Sequence, residues 1–288
     1  MPVPTTRLSP AAGAEIRNIS LTNLDDAGFA ELYRAWNDAD GVLVVRGQSL
    51  AEPDHVAFSR KFGPIYDDPD TEPMSHTVSK YLHPDWPQIY RVSNITDSNG
   101  EPLGRRKAGT YWHSDCSYLA KGAKASILHA LEIPPYGGDT MFANLGAAYD
   151  ALSEPMKDLL ADLHAVHDFQ VASKGWTHET KADDDLTSRT RNRHPIVRTH
   201  ADTGRKSLFV NPGFTSHIDG FTEAESSALL GFLYDHCQQA EFIYRHRWEP
   251  GDVVIWDNRN TMHCAVSDYP DGHRRYMHRT TGIGEQPV

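Results

Sequence analysis

Tyr111-Trp112-His113-Ser114-Asp115 sets an imidazole and a carboxylate two residues apart. In extended backbone, side chains two apart point to the same side, so His113 and Asp115 would face one point. A third donor can come from far along the chain. His263 is the best candidate, because it follows the apolar run Val253 to Trp256, which can act as a rigid support. Two imidazoles and one carboxylate suit a borderline divalent metal. Gathered on one face of an octahedral Fe(II), they leave three positions for a bidentate 2-oxo acid and dioxygen. The same donors would also serve a hydrolytic zinc. His129, His164, His167 and His194 compete for the ligand role in a chain with 16 histidines.

A second group of residues lies downstream. Arg274, Arg275 and Arg279 follow His263, and a strand over Tyr276 to Thr280 puts Arg275, Met277 and Arg279 on one face. Guanidinium matches carboxylate in a two-pronged geometry, so two such arginines could bind two different anions. They stand about 13 Å apart by strand rise, too far to share one small carboxylate at full extension. A buried arginine without a counter-charge is costly, which points to an anionic substrate at the second of them. The alternative is that Arg279 faces outward or pairs with Asp257 or Asp268. The basic run Arg105-Arg106-Lys107 reads first as a solvated loop and second as a contact for an anion.

The elements that must carry these side chains are mostly short. Near the N-terminus the pattern predicts strands at Ile16 to Ile19 and Gly41 to Val45, with helices over Leu24 to Asp38 and Glu52 to Phe62. Residues 64–110 are broken by prolines, apart from a strand at Gln88 to Val92, and residues 171–193 are polar and charged. Both stretches read as loops inserted in one catalytic domain spanning 1–288. Further strands are expected at Ala125 to Leu131, Leu208 to Val210, Phe242 to Arg247 and Val253 to Trp256. A helix begins at a Ser153 cap and buries Met156, Leu159, Leu160 and Leu163; another runs from Thr222 to Cys237 behind the capping pair Thr222 and Glu225. Many short strands with Pro/Gly turns predict a mainly β fold with flanking helices, a sandwich or barrel-like sheet. Neither Gly-x-Gly-x-x-Gly nor the phosphate-binding Gly-x-x-x-x-Gly-Lys-Ser/Thr occurs.

Composition narrows the function further. Among 288 residues, 28 Lys and Arg oppose 39 Asp and Glu, a formal charge of -11 that disfavours phosphate backbones and hence nucleic acid. No apolar run reaches membrane-spanning length, and no basic segment followed by an apolar run marks a signal peptide. Three cysteines without a spacing pattern fit a reducing cytoplasm.

The ordered blocks along the chain resemble the taurine dioxygenase and 2,4-dichlorophenoxyacetate dioxygenase family of Fe(II)/2-oxoglutarate enzymes. They are Gly41-Val-Leu-Val-Val-Arg-Gly47, His55 to Gly63, Trp112-His-Ser-Asp115, Gly137-Gly-Asp-Thr-Met-Phe142, Ala147 to Ser153, His194 to His200, Gly204 to Asn211, and Gly251 through His263 to Arg279. The resemblance implies a double-stranded β-helix, or jelly roll, with helices outside it. It implies iron on His113, Asp115 and His263, and a 2-oxoglutarate whose distal carboxylate meets Thr140 and Arg275. It places Arg279 against an anionic group of the prime substrate. Retention of Asp115 implies a hydroxylase rather than a halogenase. Hydroxylation would consume O2 and release succinate and CO2, and the hydroxylated product could collapse where its carbon bears a heteroatom. His76, Tyr81, Asn94 and Tyr111 are the further pocket candidates. The stretch Lys107 to Tyr111 departs from the taurine enzyme, and Arg91 to Trp112 looks closer to the phenoxyacetate branch. Substrates of this look are sulfonates, sulfate esters and aryloxy or alkyl carboxylates, and the family habit implies a homo-dimer or homo-tetramer. A jelly-roll hydrolase or isomerase would lack Arg275 or Thr140, and a non-catalytic binding protein would lack an iron ligand; all are present.

Overall fold

The computed structural model describes residues 3–71, 73, 81–105, 108–173, 190–270 and 272–288. Its strands in chain order are β1 (Thr6–Arg7), β2 (Ala14–Ile16), β3 (Val42–Val45), β4 (Tyr90–Ser93), β5 (Ala123–Glu132), β6 (Thr140–Asn144), β7 (His164–Asp168), β8 (Arg191–Pro195), β9 (Val197–Thr199), β10 (Lys206–Leu208), β11 (Thr215–Ile218), β12 (Ile243–His246), β13 (Val253–Asp257), β14 (Thr261–Ala265) and β15 (Tyr276–Ile283). Seven form the major sheet, in the order β1-β2-β3-β13-β5-β15-β4. The minor sheet is β12-β6-β14, flanked by β11-β7-β8 and the pair β10-β9. Pairing is antiparallel throughout except between β2 and β3.

Period-2 geometry explains why the central strands are apolar on both faces. Val42 and Val44 of β3, with Val254 and Trp256 of β13, point between the sheets and pack with Phe142, Tyr244 and Met277. Their alternates Leu43, Val45, Val253 and Ile255 point the other way, onto Leu32, Trp36, Phe58 and Phe62. The helices Asp26–Asp38 and Glu52–Arg60 supply that outer cover. On the far side, Ala143 and Met262 of the minor sheet pack outward against Leu145, Leu160, Leu230 and Leu233. The result is a double-stranded β-helix with helices on both outer faces, and its interior is left to the side chains that alternate with these.

Several sequence expectations shift. The strand expected at Ile16 to Ile19 is Ala14–Ile16, and the strand expected at Leu208 to Val210 is Lys206–Leu208. The helix after Ser153 is Glu154–Leu160 with no side-chain bond from its cap. Leu159 is 51% exposed rather than buried. Leu160 and, four residues before it, Met156 turn to the core instead, and Leu163 joins them from beyond the end of the helix. The capping box at Thr222 and Glu225 forms as expected, ahead of Glu223–Cys237. Of the polar stretch 171–193, the start lies in the helix Phe169–Ser173 and the end in β8; residues 174–189 lie outside the described residues. No helix among the described residues is long and apolar enough to cross a membrane.

Candidate active site

His263 lies in the middle of β14. Because Met262 packs outward, its neighbour on the strand must face the barrel interior. His113 stands opposite it. The His113 N–H donates to the His263 carbonyl (3.0 Å), and the His263 N–H donates back to the His113 carbonyl (2.8 Å). This reciprocal pair holds the two imidazoles 4.2 Å apart between ring centres. Asp115 follows two residues later, and its N–H donates to Asn258 Oδ1 (2.9 Å). One ligand atom from each of His113, Asp115 and His263 lies within 4.8 Å of the others, and all three residues are buried.

The surroundings prepare the three for a cation. His113 Nδ1 lies 2.8 Å from the Tyr111 carbonyl, which fixes the proton on Nδ1 and leaves Nε2 as a lone pair. His113 Nε2 is 3.7 Å from Asp115 Oδ1, and His263 Nε2 is 3.8 Å from Asp115 Oδ2. Burial pushes the protonation of both imidazoles below the ordinary histidine range and outweighs the attraction of Asp115. Burial alone would raise the Asp115 carboxyl. The Arg279 guanidinium, the two imidazoles and the Ser126 hydroxyl together hold it below the usual carboxylate range. The set is therefore a carboxylate and two neutral imidazoles, as a divalent ion requires.

Outer contacts orient Asp115. Asn258 Nδ2 donates to Ser126 Oγ (3.0 Å), and Ser126 Oγ donates to Asp115 Oδ2 (2.7 Å). Arg279 Nη1 donates to Asp115 Oδ1 (2.7 Å). Arg279 thus faces the interior, over the Tyr90 ring at 5.1 Å, and its carboxylate partner is Asp115 rather than Asp257 or Asp268. Two glycines fit against His113. A Cβ on Gly213 would come within 2.9 Å of the His113 Cβ, and one on Gly109 within 2.8 Å of its Cε1. Ser126, Asn258 and the two glycines escaped the sequence reading, because the contacts that define them join distant segments.

Arg275 precedes β15 and is 6% exposed. Its Nη2 makes one long bond to the Gly138 carbonyl (3.4 Å), its Nε has no partner, and no carboxylate pairs with it among the described residues. Burial lowers its proton affinity, and only the nearby Tyr269 phenol opposes this. A buried cation in this condition fits an anionic ligand. Thr140, the first residue of β6, is also buried, and its Oγ1 accepts a bond from Trp248 Nε1 (3.0 Å).

The remaining candidates divide. Tyr111 lines a pocket that reaches His113 and Asp115, together with Tyr90, Arg105, Phe169, Phe214 and Arg279. Arg105 is therefore a pocket residue that bonds the Tyr90 phenol, not merely part of a solvated loop. Asn94 instead clamps backbone: its Oδ1 accepts the Arg275 N–H (2.8 Å) and its Nδ2 donates to the His273 carbonyl (2.7 Å). Tyr81 packs in the core against Tyr90. His76 lies outside the described residues.

Comparison with known proteins agrees with this geometry. A family model described as "Taurine catabolism dioxygenase TauD, TfdA family" matches residues 4–281. The alpha-ketoglutarate-dependent 2,4-dichlorophenoxyacetate dioxygenase of Cupriavidus pinatubonensis is 34% identical over 297 residues, covering 100% of both chains. The alpha-ketoglutarate-dependent sulfate ester dioxygenase of Pseudomonas putida is 34% identical over 290 residues, covering 96% of this chain and 88% of its own. A crystal structure of a taurine dioxygenase from Burkholderia xenovorans superposes with a TM-score of 0.80 at 35% identity, covering 99% of this chain and 90% of that one.

Proposed function

This chain belongs to the TauD, TfdA family of dioxygenases, and on that premise we propose that it hydroxylates a small organic anion using Fe(II), O2 and 2-oxoglutarate. The observation that carries the proposal is the pairing of a buried two-histidine, one-carboxylate set with a second buried cation, Arg275, that has no carboxylate partner among the described residues. His113, Asp115 and His263 would hold the iron. Arg275 and Thr140 would take the distal carboxylate of 2-oxoglutarate. Bound iron supplies the oxidation: one oxygen atom of O2 enters a C–H bond of the prime substrate and the other enters the succinate formed as 2-oxoglutarate loses CO2.

The protein's own part is positioning and charge. The reciprocal backbone pair fixes the His113–His263 spacing, and Ser126 and Arg279 keep both Asp115 oxygens oriented. The aromatic walls Tyr90, Tyr111, Phe169 and Phe214 exclude water and offer flat apolar surface to the body of the substrate. A charge count bears on the substrate's sign. The two positive charges of the ion are met by Asp115 and by the C1 carboxylate of the 2-oxo acid. Arg275 is met by the distal carboxylate, while Arg279 shares Asp115 with the ion and Arg105 also lines the pocket, so the pocket keeps a positive excess. A sulfonate, sulfate ester or aryloxy or alkyl carboxylate on the prime substrate would balance it. Hydroxylation beside a heteroatom would then let the product collapse to a carbonyl compound and a leaving group.

Anaerobic titration of the purified protein with Fe(II) and then 2-oxoglutarate should produce a weak visible charge-transfer band. A screen for succinate release across sulfonates, sulfate esters and aryloxy acids should then find turnover above the substrate-free rate. A protein that binds Fe(II) and 2-oxoglutarate but responds only to neutral compounds would refute the anionic substrate. We also extend the family habit of homo-dimers or homo-tetramers to this chain; a single 32.2 kDa species in light scattering would reject it.

A further inference from the structure

Thr140 Oγ1 has two lone pairs and one proton. Trp248 Nε1 can only donate, and at 3.0 Å it occupies one lone pair of that hydroxyl. A hydroxyl that accepts from a fixed donor must send its own proton elsewhere. Among the described residues no hydrogen bond from Thr140 Oγ1 to a protein acceptor is present. Both residues are closed off from solvent, Trp248 at 5% and Thr140 at 4% exposure. Trp248 is itself held: its ring packs edge-on against His246 at 4.6 Å and joins Phe142, Tyr244 and Met277 in the inter-sheet core. From this juxtaposition of Trp248 and Thr140 we infer that Trp248 is a positioning residue for the co-substrate. By filling the acceptor side of Thr140, it commits the hydroxyl to donate toward the anion that Arg275 attracts. The inference rests on the 2-oxoglutarate reading of Arg275 and Thr140.

A second relay of the same form supports the logic. Asn258 Nδ2 occupies an acceptor site of Ser126, and the Ser126 hydroxyl then donates to Asp115. In both places a donor-only N–H turns a hydroxyl into a directed donor. The two relays serve different partners, one a ligand carboxylate in the chain and the other a carboxylate brought by the co-substrate.

The test is anaerobic calorimetry on Fe(II)-loaded protein with two ligands. One is 2-oxoglutarate; the other is 2-oxobutanoate, which keeps the 2-oxo acid end and lacks the distal carboxylate. Trp248→Phe should weaken 2-oxoglutarate about five- to tenfold, as expected for one misdirected hydrogen bond to a charged group, and leave 2-oxobutanoate within about twofold. Thr140→Val should show the same selectivity, and adding Trp248→Phe to it should cost less than about a further twofold. Equal weakening of both ligands would make Trp248 a general packing residue and overturn the inference. So would unchanged 2-oxoglutarate affinity, or additive losses in the double variant. A parent protein that fails to bind 2-oxoglutarate would overturn the reading beneath it as well. A measurement on the unaltered sequence guards against misfolding of the variant. In zinc-loaded protein labelled with 15N-tryptophan, the Trp248 indole N–H resonance should move on addition of 2-oxoglutarate and stay in place with 2-oxobutanoate. Equal responses to both ligands would overturn the inference.

Discussion

Replacing Arg275 with methionine should move stability and co-substrate binding in opposite directions. Arg275 is almost fully buried, with one long hydrogen bond and no carboxylate partner among the described residues. A buried charge without a counter-ion opposes folding, and an apolar side chain of similar length removes that cost while filling the space. By analogy with buried ion groups replaced by apolar side chains, Arg275→Met should stabilise the ligand-free protein by about 1–3 kcal/mol. For a chain of this size that is a rise in Tm of roughly 2–10 °C. The same substitution removes the guanidinium from the distal carboxylate, at a cost of about 2–5 kcal/mol, or roughly thirty- to several-thousandfold in 2-oxoglutarate affinity. In the parent, 2-oxoglutarate at a hundred times its Kd should add about 2.7 kcal/mol of stability. The variant should keep no more than about 0.9 kcal/mol of it at that concentration. Thermal melts of the metal-loaded parent and variant, with and without 2-oxoglutarate under nitrogen, read both effects. If the variant melts below the parent without ligand, or keeps the full rise on adding ligand, the reasoning about Arg275 is wrong.

Gly109→Ala should lower metal affinity by about tenfold or more, because its Cβ would sit 2.8 Å from His113 Cε1 at a φ of 67°. Gly204→Ala carries a similar backbone strain (φ 69°) with nothing within 4 Å, so it should leave metal titrations unchanged; equal loss in both would refute the crowding argument. Arg279→Ala should raise the KM for an anionic prime substrate by about tenfold or more and uncouple succinate formation from product, with Arg279→Lys intermediate. An unchanged KM would remove Arg279 from substrate binding. His55 and His167 are fully buried, and burial pushes their protonation down to about 3, from an ordinary 6.5. The stability they provide by staying neutral is complete above pH 6.5 and is lost as pH falls from there toward 3. Each should cost about 2–3 kcal/mol by pH 4.5, so urea midpoints that are flat between pH 7.5 and 4.5 would contradict it.

Legibility from sequence followed the range of the interactions. Gly41 to Val45 and Val253 to Trp256 were legible as strands because both are continuous apolar runs, and the structure explains the runs by cover on both sides of the sheet. The capping box of Thr222 and Glu225 is a local bond and was visible at once. In a chain with 16 histidines the ligand triad was readable through the ordered family blocks around it rather than from its residue types, and the backbone pairing of His113 with His263 was not readable. Arg279 faces the interior as expected, but its internal carboxylate partner, Asp115, is 164 residues away and was not among the alternatives Asp257 and Asp268. Asn94 illustrates a different failure. A polar residue beside a presumed pocket looks like a ligand contact, but its two amide atoms are spent on the backbone around Arg275. Strand β6 was missed because Thr140 to Asn144 follows a Pro/Gly turn and mixes polar with apolar residues.

The two hydrogen bonds exchanged by His113 and His263 make a clasp in the main chain itself. The backbone leaves that clasp after His113 and returns to it at His263, and on the way it carries the aromatic walls at Phe169 and Phe214. Along that excursion the walls can change without moving the two imidazoles, provided that Gly213 beside His113 and the Ser126 and Asn258 contacts to Asp115 are kept. A chain built this way separates the question of which compound is oxidised from the question of how the oxidation is done. Substrate preference can drift by replacement at the walls, while the spacing of the two imidazoles rests on four backbone atoms and the set of Asp115 on its own side-chain contacts.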